Sequence, residues 1–289
     1  YLLSRNKLNI RVLDTSEILN VDNIQNIDSK GLIIDNFSNL PSNLKPILLD
    51  MKLRGLELIK PIDWCEKYLN NIPSEFISNE YLLDKKFLKI TRSFQHRLKR
   101  IMEFLFSFFL LLSCLPILLL AAIFIKLNDG GPIFYSQIRN GFSGKNFRIW
   151  KLRSMKINAE RNGAQWSFKN DKRITKIGQF LRSTRIDEIP QLFNVIKGDM
   201  SLIGPRPERP EIDEILQKSN SNYKLRYMIK PGLSGWAQVN YPYGASQKDS
   251  FIKLSFDLYY IKNFSTLLDL IILFKTIKLI THRKGFLPN

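Results

Sequence analysis

The sequence predicts an α/β protein held to a membrane by a proline-bent apolar helix, and three observations carry that prediction. A strand-helix-strand-helix pattern lies near the N-terminus. FLFSFFLLLSCLPILLLAAIFI, residues 104–125, gives 22 positions without a charge, enough for a membrane segment of about 20 residues. A block of positive charge surrounds and follows that segment. The chain has 289 residues and a formal charge of +18; residues 1–90 hold 12 Lys+Arg against 12 Asp+Glu, and the remainder holds 32 against 14. The excess implies an anionic partner, whether a nucleic acid, a membrane surface or a phosphate-bearing substrate.

In the neutral N-terminal part, GLIIDN (31–36) and GLELIK (55–60) read as short buried strands, with helical stretches near 43–53 and 62–71. No G-x-G-x-x-G and no P-loop accompanies them, so a scaffold or regulatory role is expected there. A polar linker, DKKFLKITRSFQ (84–95), leads to the apolar segment. Cys65 and Cys114 make no disulfide framework, and Cys114 is expected to be a buried thiol. His96 and His282 lie in basic flanks, which leaves no material for a histidine triad or a zinc site. The chain begins at Tyr1 with no signal-like segment before it, which reads as a truncation.

Within the apolar segment, Pro116 leaves 12 residues before it and 9 after. Each arm reaches roughly 14–18 Å, about half of a ~30 Å hydrocarbon core. Arg97, Lys99 and Arg100 precede the segment, and Lys126, Arg139 and Lys145 follow it, so both ends carry the cytoplasmic signature. A helix that dips in, bends at Pro116 and returns to the same face satisfies both flanks; a kinked spanning helix is the alternative. Ser113 is expected to satisfy a backbone group freed at the bend. Further on, FSTLLDLIILFKTIKLI (264–280) reads either as a helix at the membrane interface or as a core helix.

PIFYSQIR (132–139) and NFRIWKLRS (146–154) form a hairpin pattern around Gly141 and Gly144. Lys151 and Arg153, two apart, share a strand face that suits an anionic ligand or, equally, solvent. In DEIPQLFNVIK (187–197), Ile189, Leu192, Phe193 and Ile196 share one apolar side of a helix. Pro190 fits its first turn, placing Asp187 and Glu188 at the N-terminus. Acids there gain ~0.3–1 kcal/mol from the helix dipole and need no chemistry. The surroundings favour chemistry. GPRPERP (204–210) is a stiff loop with Arg206 and Arg209, and YMIKPGLSGWAQVNYPYG (227–244) reads as irregular, site-forming chain. A carboxylate that can attack phosphorus or hold Mg²⁺, with cations for the phosphoryl oxygens, has the parts of a phosphoryl-transfer centre.

Six stretches in order carry a resemblance: the basic-apolar-Pro segment, GPIFYSQIRNG, WKLRSM, FLRSTRIDEIPQLFNVIKGDMSLIGPRPERPE, KPGLSGWAQVN and DLYYIKNFSTLLDL. Over residues 97–286 the chain resembles the bacterial sugar transferases, also called monotopic phosphoglycosyl transferases or polyprenyl-phosphate hexose-1-phosphate transferases. The resemblance implies a division into a partial Rossmann-like domain (1–90), a basic flank with a re-entrant helix bent at Ser113 and Pro116 (91–126), and a catalytic domain (127–289). It implies transfer of a sugar phosphate from a nucleotide diphosphate sugar, expected to be a UDP-sugar, to polyprenyl phosphate with Mg²⁺. Asp187 would be nucleophile and Mg²⁺ ligand, with Glu188 its partner; Lys151, Arg206, Arg153, Arg185 and Arg226 would serve the phosphates. The setting would be the cytoplasmic face of the inner membrane, at the start of exopolysaccharide, O-antigen or capsule assembly. Two departures put the bend and the sugar choice in doubt: Leu115 precedes Pro116 where some members have Ser, and Tyr241-Pro242-Tyr243-Gly244 stands where many have Gly-Arg. A non-catalytic basic membrane adaptor is the rival. Nucleic acid is not an expected partner, because the charge accompanies a membrane segment and no nucleic-acid motif appears. Whether the chain forms a homo-oligomer is left open.

Overall fold

A computed structural model describes residues 10, 31–35, 37, 40–83, 94–159, 171–241, 244 and 246–282. The linker expected at 84–95 falls mostly outside these residues, as do Pro242 and Tyr243. The chain divides into two compact units, Tyr1–Phe76 and Ile77–Asn289.

In the first unit, β1 (Gly31–Ile33) pairs in parallel with β2 (Glu57–Ile59), and α1 (Leu44–Leu53) connects them. Parallel strands require such a crossover. α2 (Pro61–Trp64) follows, continued by a π-helical turn, Cys65–Leu69, that ends at Asn70 in a left-handed conformation (φ 52°). Leu44, Leu48, Ile62, Cys65 and Ile72 are buried. Strand-helix-strand-helix is the expected order, with shorter strands than the sequence pattern implies. Burial pushes the free thiol of Cys65 up to about 11, so it is inert at neutral pH.

The second unit begins with α3 (Asn79–Leu83), where Lys262 donates to the Tyr81 hydroxyl at 2.6 Å. α4 (Phe94–Asp129) is a 36-residue helix that runs through Pro116. The Ser113 hydroxyl bonds the carbonyl of Phe109 at 2.9 Å. The carbonyl that proline leaves without a donor is that of residue 112, so Ser113 does not fill the role expected of it. The helix is apolar and mostly exposed, and it is long enough to cross a membrane. Its covered or half-covered positions repeat every three or four residues, through Glu103, Ser107, Leu111, Cys114, Leu118, Ala121 and Ile125. A single stripe along the helix is therefore covered, while Phe108, Phe109, Leu112, Leu119, Leu120 and Phe124 are open. Cys114, expected to be buried, is only half-buried.

β3 (Phe134–Asn140) and β4 (Asn146–Leu152) form the expected antiparallel hairpin. α5 (Lys176–Ser183) starts at Thr175, whose side chain accepts from the Gly178 amide at 2.9 Å. A 3-10 turn, Ile186–Gln191, passes into α6 (Leu192–Lys197). β5 (Ser201–Ile203) pairs in parallel with β6 (Gly232–Ser234). Between these strands lie α7 (Pro210–Ser219) and a 3-10 segment, Ser221–Met228. After β6 come α8 (Trp236–Asn240), α9 (Gln247–Lys262) and α10 (Thr266–Thr281). Residues 227–244 are thus less irregular than expected, since they contribute β6 and α8. One core cluster joins the C-terminal half of α4 to the hairpin and α5 through Ala121, Ile125, Leu152 and Leu181. Another sets Ile149, Val195 and Met200 together beneath α6. α10 buries Leu268 and Ile272 but leaves Leu267, Leu270, Phe274 and Ile277 open. The architecture is a helix-rich α/β fold with one long apolar helix.

Candidate active site

The sequence places Asp187 and Glu188 on a turn whose geometry is set from both sides. α5 ends at Thr184, and Arg185 then adopts a left-handed conformation, φ 60° and ψ 14°. A side chain with a Cβ pays roughly 1–2 kcal/mol there, a strain found where a site requires it. The Glu188 amide closes the turn on the Arg185 carbonyl at 3.1 Å. On the far side, α6 is pinned to the hairpin where Asn194 donates to the Arg148 carbonyl at 2.7 Å. The acids therefore do not start an α-helix, as the sequence pattern implied: they lie in the 3-10 turn, with α6 beginning only at Leu192. The buried side of α6 is Leu192 and Val195, whereas Phe193, expected on that side, is exposed. Within α6 the covered side is centred on Leu192, Val195 and the half-buried Ile196, which turns Phe193 outward.

Both carboxylates are buried, at 5% and 7% exposure, yet they meet opposite fates. Glu188 receives Lys151 at 2.9 Å and Arg206 at 2.5 Å on one oxygen, with Arg185 3.6 Å from the other. Burial pushes its carboxyl up, but Arg206, Lys151 and Arg185 together outweigh that and hold it well below the usual range. Asp187 makes no side-chain hydrogen bond among the described residues, and its Oδ1 is buried without a partner. Burial, then the charge of Glu188, push it up to about 6 against the pull of Lys151, Arg182 and Arg185. An unpaired buried carboxylate oxygen costs about 1–3 kcal/mol or more, and such a group marks a site built for something else.

The cations are delivered by separate elements. Lys151 projects from the end of β4 and is held below its ordinary value by burial, which Glu188 opposes. Arg206 sits on the Gly204–Arg209 loop, which is fixed by the Gly204 amide on Ser234 O and the Gly232 amide on Pro205 O, both at 2.8 Å. Glycine is required at 204 and 232 because the two backbones touch there: a Cβ on Gly204 would meet the Lys230 carbonyl at 2.5 Å. Arg182, which the sequence reading passed over, faces Asp187 electrostatically and donates to Ser154 Oγ at 2.8 Å.

Two expected phosphate ligands stand elsewhere. Arg153 is buried and paired with Asp129 at the end of α4. It lies beyond the last residue of β4, so the alternation that would have matched it to Lys151 has ended. Arg226 is buried beneath the Arg206 loop, donating to the Arg206 carbonyl and to Asp257, both at 2.9 Å, and to the Tyr223 hydroxyl at 2.5 Å. It positions the loop. Asp257 is pushed up to about 6 by burial, which Arg226 resists. Glu208, 3.4 Å from Arg226, is pushed up by burial, but Arg226, Arg139, Lys253 and Arg206 outweigh that and hold it low. The signals for these residues were an acid between two arginines in GPRPERP and one acid among the buried positions of SFDLYY.

Among the described residues no group of three or more His, Cys, Asp or Glu could enclose a metal ion. Both oxygens of Glu188 face cations, whereas Asp187 Oδ1 has no partner, so a divalent ion would take its protein oxygen from Asp187 and the rest from substrate phosphates and water. Mg²⁺ is bound in this sparse way at phosphate-transfer sites, whereas Ca²⁺ and Zn²⁺ favour fuller protein cages. The residues present fit Mg²⁺.

Residues 94–283 match the family model described as bacterial sugar transferase. The chain is 48% identical over 165 residues to a UDP-N-acetylgalactosamine-undecaprenyl-phosphate N-acetylgalactosaminephosphotransferase of Aeromonas hydrophila, covering 57% of this chain and 39% of that one. It is 39% identical over 184 residues to a UDP-glucose:undecaprenyl-phosphate glucose-1-phosphate transferase of Escherichia coli (strain K12), covering 62% and 39%. It is 42% identical over 163 residues to the galactosyl transferase CpsE of Streptococcus agalactiae, covering 53% and 35%. The chain thus spans well under half the length of these three relatives. The family match runs from the start of α4 to the end of α10 and so takes in the dyad turn, Lys151 and the Arg206 loop together: the chain belongs to the bacterial sugar transferase family.

Proposed function

We propose that the protein transfers a sugar phosphate from a nucleotide diphosphate sugar to polyprenyl phosphate through a covalent intermediate on Asp187. The observation that carries the proposal is the contrast within the dyad: Glu188 is neutralised by Lys151 and Arg206, while Asp187 is buried and unpartnered. Asp187 is the nucleophile. Its carboxylate oxygen forms a bond to the phosphorus that carries the sugar, the phosphorus–oxygen bond to the nucleotide breaks, and a nucleoside monophosphate leaves. The phosphate oxygen of the lipid then attacks the same phosphorus, releasing Asp187 and giving the lipid diphosphate sugar. Lys151, Arg206 and Arg185 balance charge on the phosphoryl oxygens in both steps. Glu188 keeps these cations in place. When bound, Mg²⁺ would supply Lewis-acid charge neutralisation at the diphosphate beside Asp187.

The long helix supports a membrane setting. Its root and its C-terminal half both contact the same unit: Lys99 and Glu103 reach β5 and α10, while Ala121 and Ile125 pack on Leu152 and Leu181. Such double attachment favours a re-entrant course, bent at Pro116, over a spanning one. The unit then sits on one face of the membrane, the cytoplasmic face by its flanking charges, and the open side of α10 joins the interface. The product would begin a surface glycan such as an exopolysaccharide, O-antigen or capsule.

Incubation with a radiolabelled UDP-sugar and Mg²⁺ tests the mechanism. Wild-type protein should release UMP and retain sugar-phosphate label on Asp187, discharged by polyprenyl phosphate. Asp187→Asn should do neither; full transfer by that variant would overturn the mechanism. Binding of anionic lipid with no UMP release from any UDP-sugar would favour the membrane-adaptor reading instead.

A further inference from the structure

KPGLSGWAQVN contributes Gly232 and Ser234 to β6, but its first residue, Lys230, has no part in the dyad. Its amine is half-buried and has no hydrogen-bond or ion-pair partner among the described residues. It faces another cation. Gly198, which caps α6 at φ +98°, has Arg100 and Lys230 around it: a Cβ there would lie 3.1 Å from Arg100 Nη2 and 3.6 Å from Lys230 Nζ. Arg100 spends two donors on the carbonyls of Val195, at 2.5 Å, and Ile196, at 2.7 Å. A guanidinium has five. The nearby acids turn elsewhere: Glu103 accepts from Ser201 Oγ and the Leu202 amide, and Asp199 lies 3.1 Å from the exposed Lys197. Glu103 and Asp199 attract the Lys230 amine from a distance, but neither forms an ion pair with it, and burial and Arg100 outweigh them. Two cations thus converge on one half-buried glycine with no anion in contact with either among the described residues.

Their position says which anion. Arg100 lies on the first exposed turns of α4, among Leu98, Ile101, Met102 and Leu105, all open to solvent. In a bilayer these side chains would enter the acyl region and leave Arg100 and Lys230 at headgroup depth. We propose that Lys230 and Arg100 bind the phosphate monoester headgroup of a membrane-anchored lipid. A monoester carries up to two negative charges and three terminal oxygens, which match two converging cations better than a diester does. Burial, then the charge of Arg100, hold the Lys230 amine below its ordinary value, and a bound phosphate would relieve that repulsion.

The site adjoins the chemistry without being part of it. The Lys230 carbonyl abuts Gly204, at the start of the loop that bears Arg206. On the other side, α6 separates Gly198 from the dyad turn by six residues, about 9 Å of helix. The headgroup would dock there and then advance to Asp187. In this form the inference rests on the proposed transferase reaction, with the lipid as acceptor.

Equilibrium binding of farnesyl monophosphate to the full chain in phosphatidylcholine nanodiscs tests it independently of catalysis. Lys230→Met should weaken binding about tenfold, and Lys230→Arg should restore it to within about twofold. In turnover, Lys230→Met should raise the KM for the prenyl phosphate and leave unchanged both the KM for the nucleotide sugar and the release of nucleoside monophosphate in the first half-reaction. Its melting temperature should not fall, because the removed amine has no partner to lose. Unchanged farnesyl monophosphate binding in Lys230→Met would overturn the proposal, as would equally strong displacement by phosphatidylglycerol, a diester. If wild-type protein transfers no sugar but Lys230→Met still loses the lipid phosphate, the reaction assignment fails and the headgroup site stands.

Discussion

Asp187 should lower the stability of the folded protein at neutral pH, and replacing it should show by how much. Its folded pKa of about 6 lies above the ordinary 3.8. Below about pH 4 both folded and unfolded chains hold the proton and the residue costs nothing. Between about pH 4 and 6 the unfolded chain has lost the proton that the folded chain retains, so stability falls as pH rises through this window; above 6 the full cost is present. Two pKa units correspond to about 3 kcal/mol at 1.36 kcal/mol each. Asp187→Asn cannot ionise and keeps nearly the same shape, so at pH 7.5 it should be more stable than wild type by roughly 2–3 kcal/mol. For a unit of this size that is about 5–10 °C in Tm. Thermal melts in detergent at pH 4, 5, 6 and 7.5 would measure it, with the two curves converging at pH 4. A variant less stable than wild type at pH 7.5, or a gap that does not change with pH, would refute the claim that burial and Glu188 outweigh the cations around Asp187.

On the proposed mechanism the same raised pKa predicts an acid limb in kcat/KM near pH 6, because a protonated Asp187 is a poor nucleophile; a flat kcat/KM profile to pH 5 would contradict it. Glu188→Gln should cost roughly 3 kcal/mol in denaturant unfolding at pH 7.5, since Lys151 and Arg206 lose their shared counter-charge. A change below about 0.5 kcal/mol would mean solvent already screens the trio. Arg226→Met should cost a similar amount at pH 7.5 and less at pH 5, where Asp257, pushed up to about 6, takes a proton and no longer requires the guanidinium. A cost that is the same at both pH values would show that Arg226 acts through packing alone.

The parts legible in the sequence were those that periodicity or length determines. The hairpin, the parallel strand pair and the apolar helix follow from alternation, turn glycines and an uncharged run. The dyad with Lys151 and Arg206 was legible through the motifs that carry the family resemblance, and the structure brings Lys151 and Arg206 within hydrogen-bond reach of Glu188. What could not be read depends on which way a side chain turns once its element ends. Arg153 stands one residue past β4 and turns to Asp129 instead of joining Lys151. Arg226 lies in an eight-residue 3-10 segment, whose threefold repeat aims it inward at Asp257, Tyr223 and the loop carbonyl. The acids lie in a 3-10 turn that the helical pattern did not separate from α6, and α6 turns Val195 towards Ile149 and Met200, which leaves Phe193 outside. None of these is a matter of composition; each depends on a long-range partner.

The apolar helix also supports the site, because its two ends brace different walls of it. At the root, Glu103 accepts from the Ser201 hydroxyl and the Leu202 amide, and Lys99 reaches the Ile203 carbonyl at 3.3 Å and Asp269 at 2.9 Å. These contacts grip β5, and the residues that follow β5 are Gly204, Pro205 and Arg206. Towards the other end, Ala121 and Ile125 pack on Leu152, next to Lys151, and on Leu181 in the helix that leads to the dyad turn. The two cations that neutralise Glu188 are thus carried by segments held at opposite ends of one helix. Seating that helix in a bilayer would fix the distance between those cations. On the proposed function, the geometry that leaves Asp187 unpartnered would then be completed only at the membrane that holds the lipid acceptor, and a fragment lacking residues 94–129 would lose support on both walls at once.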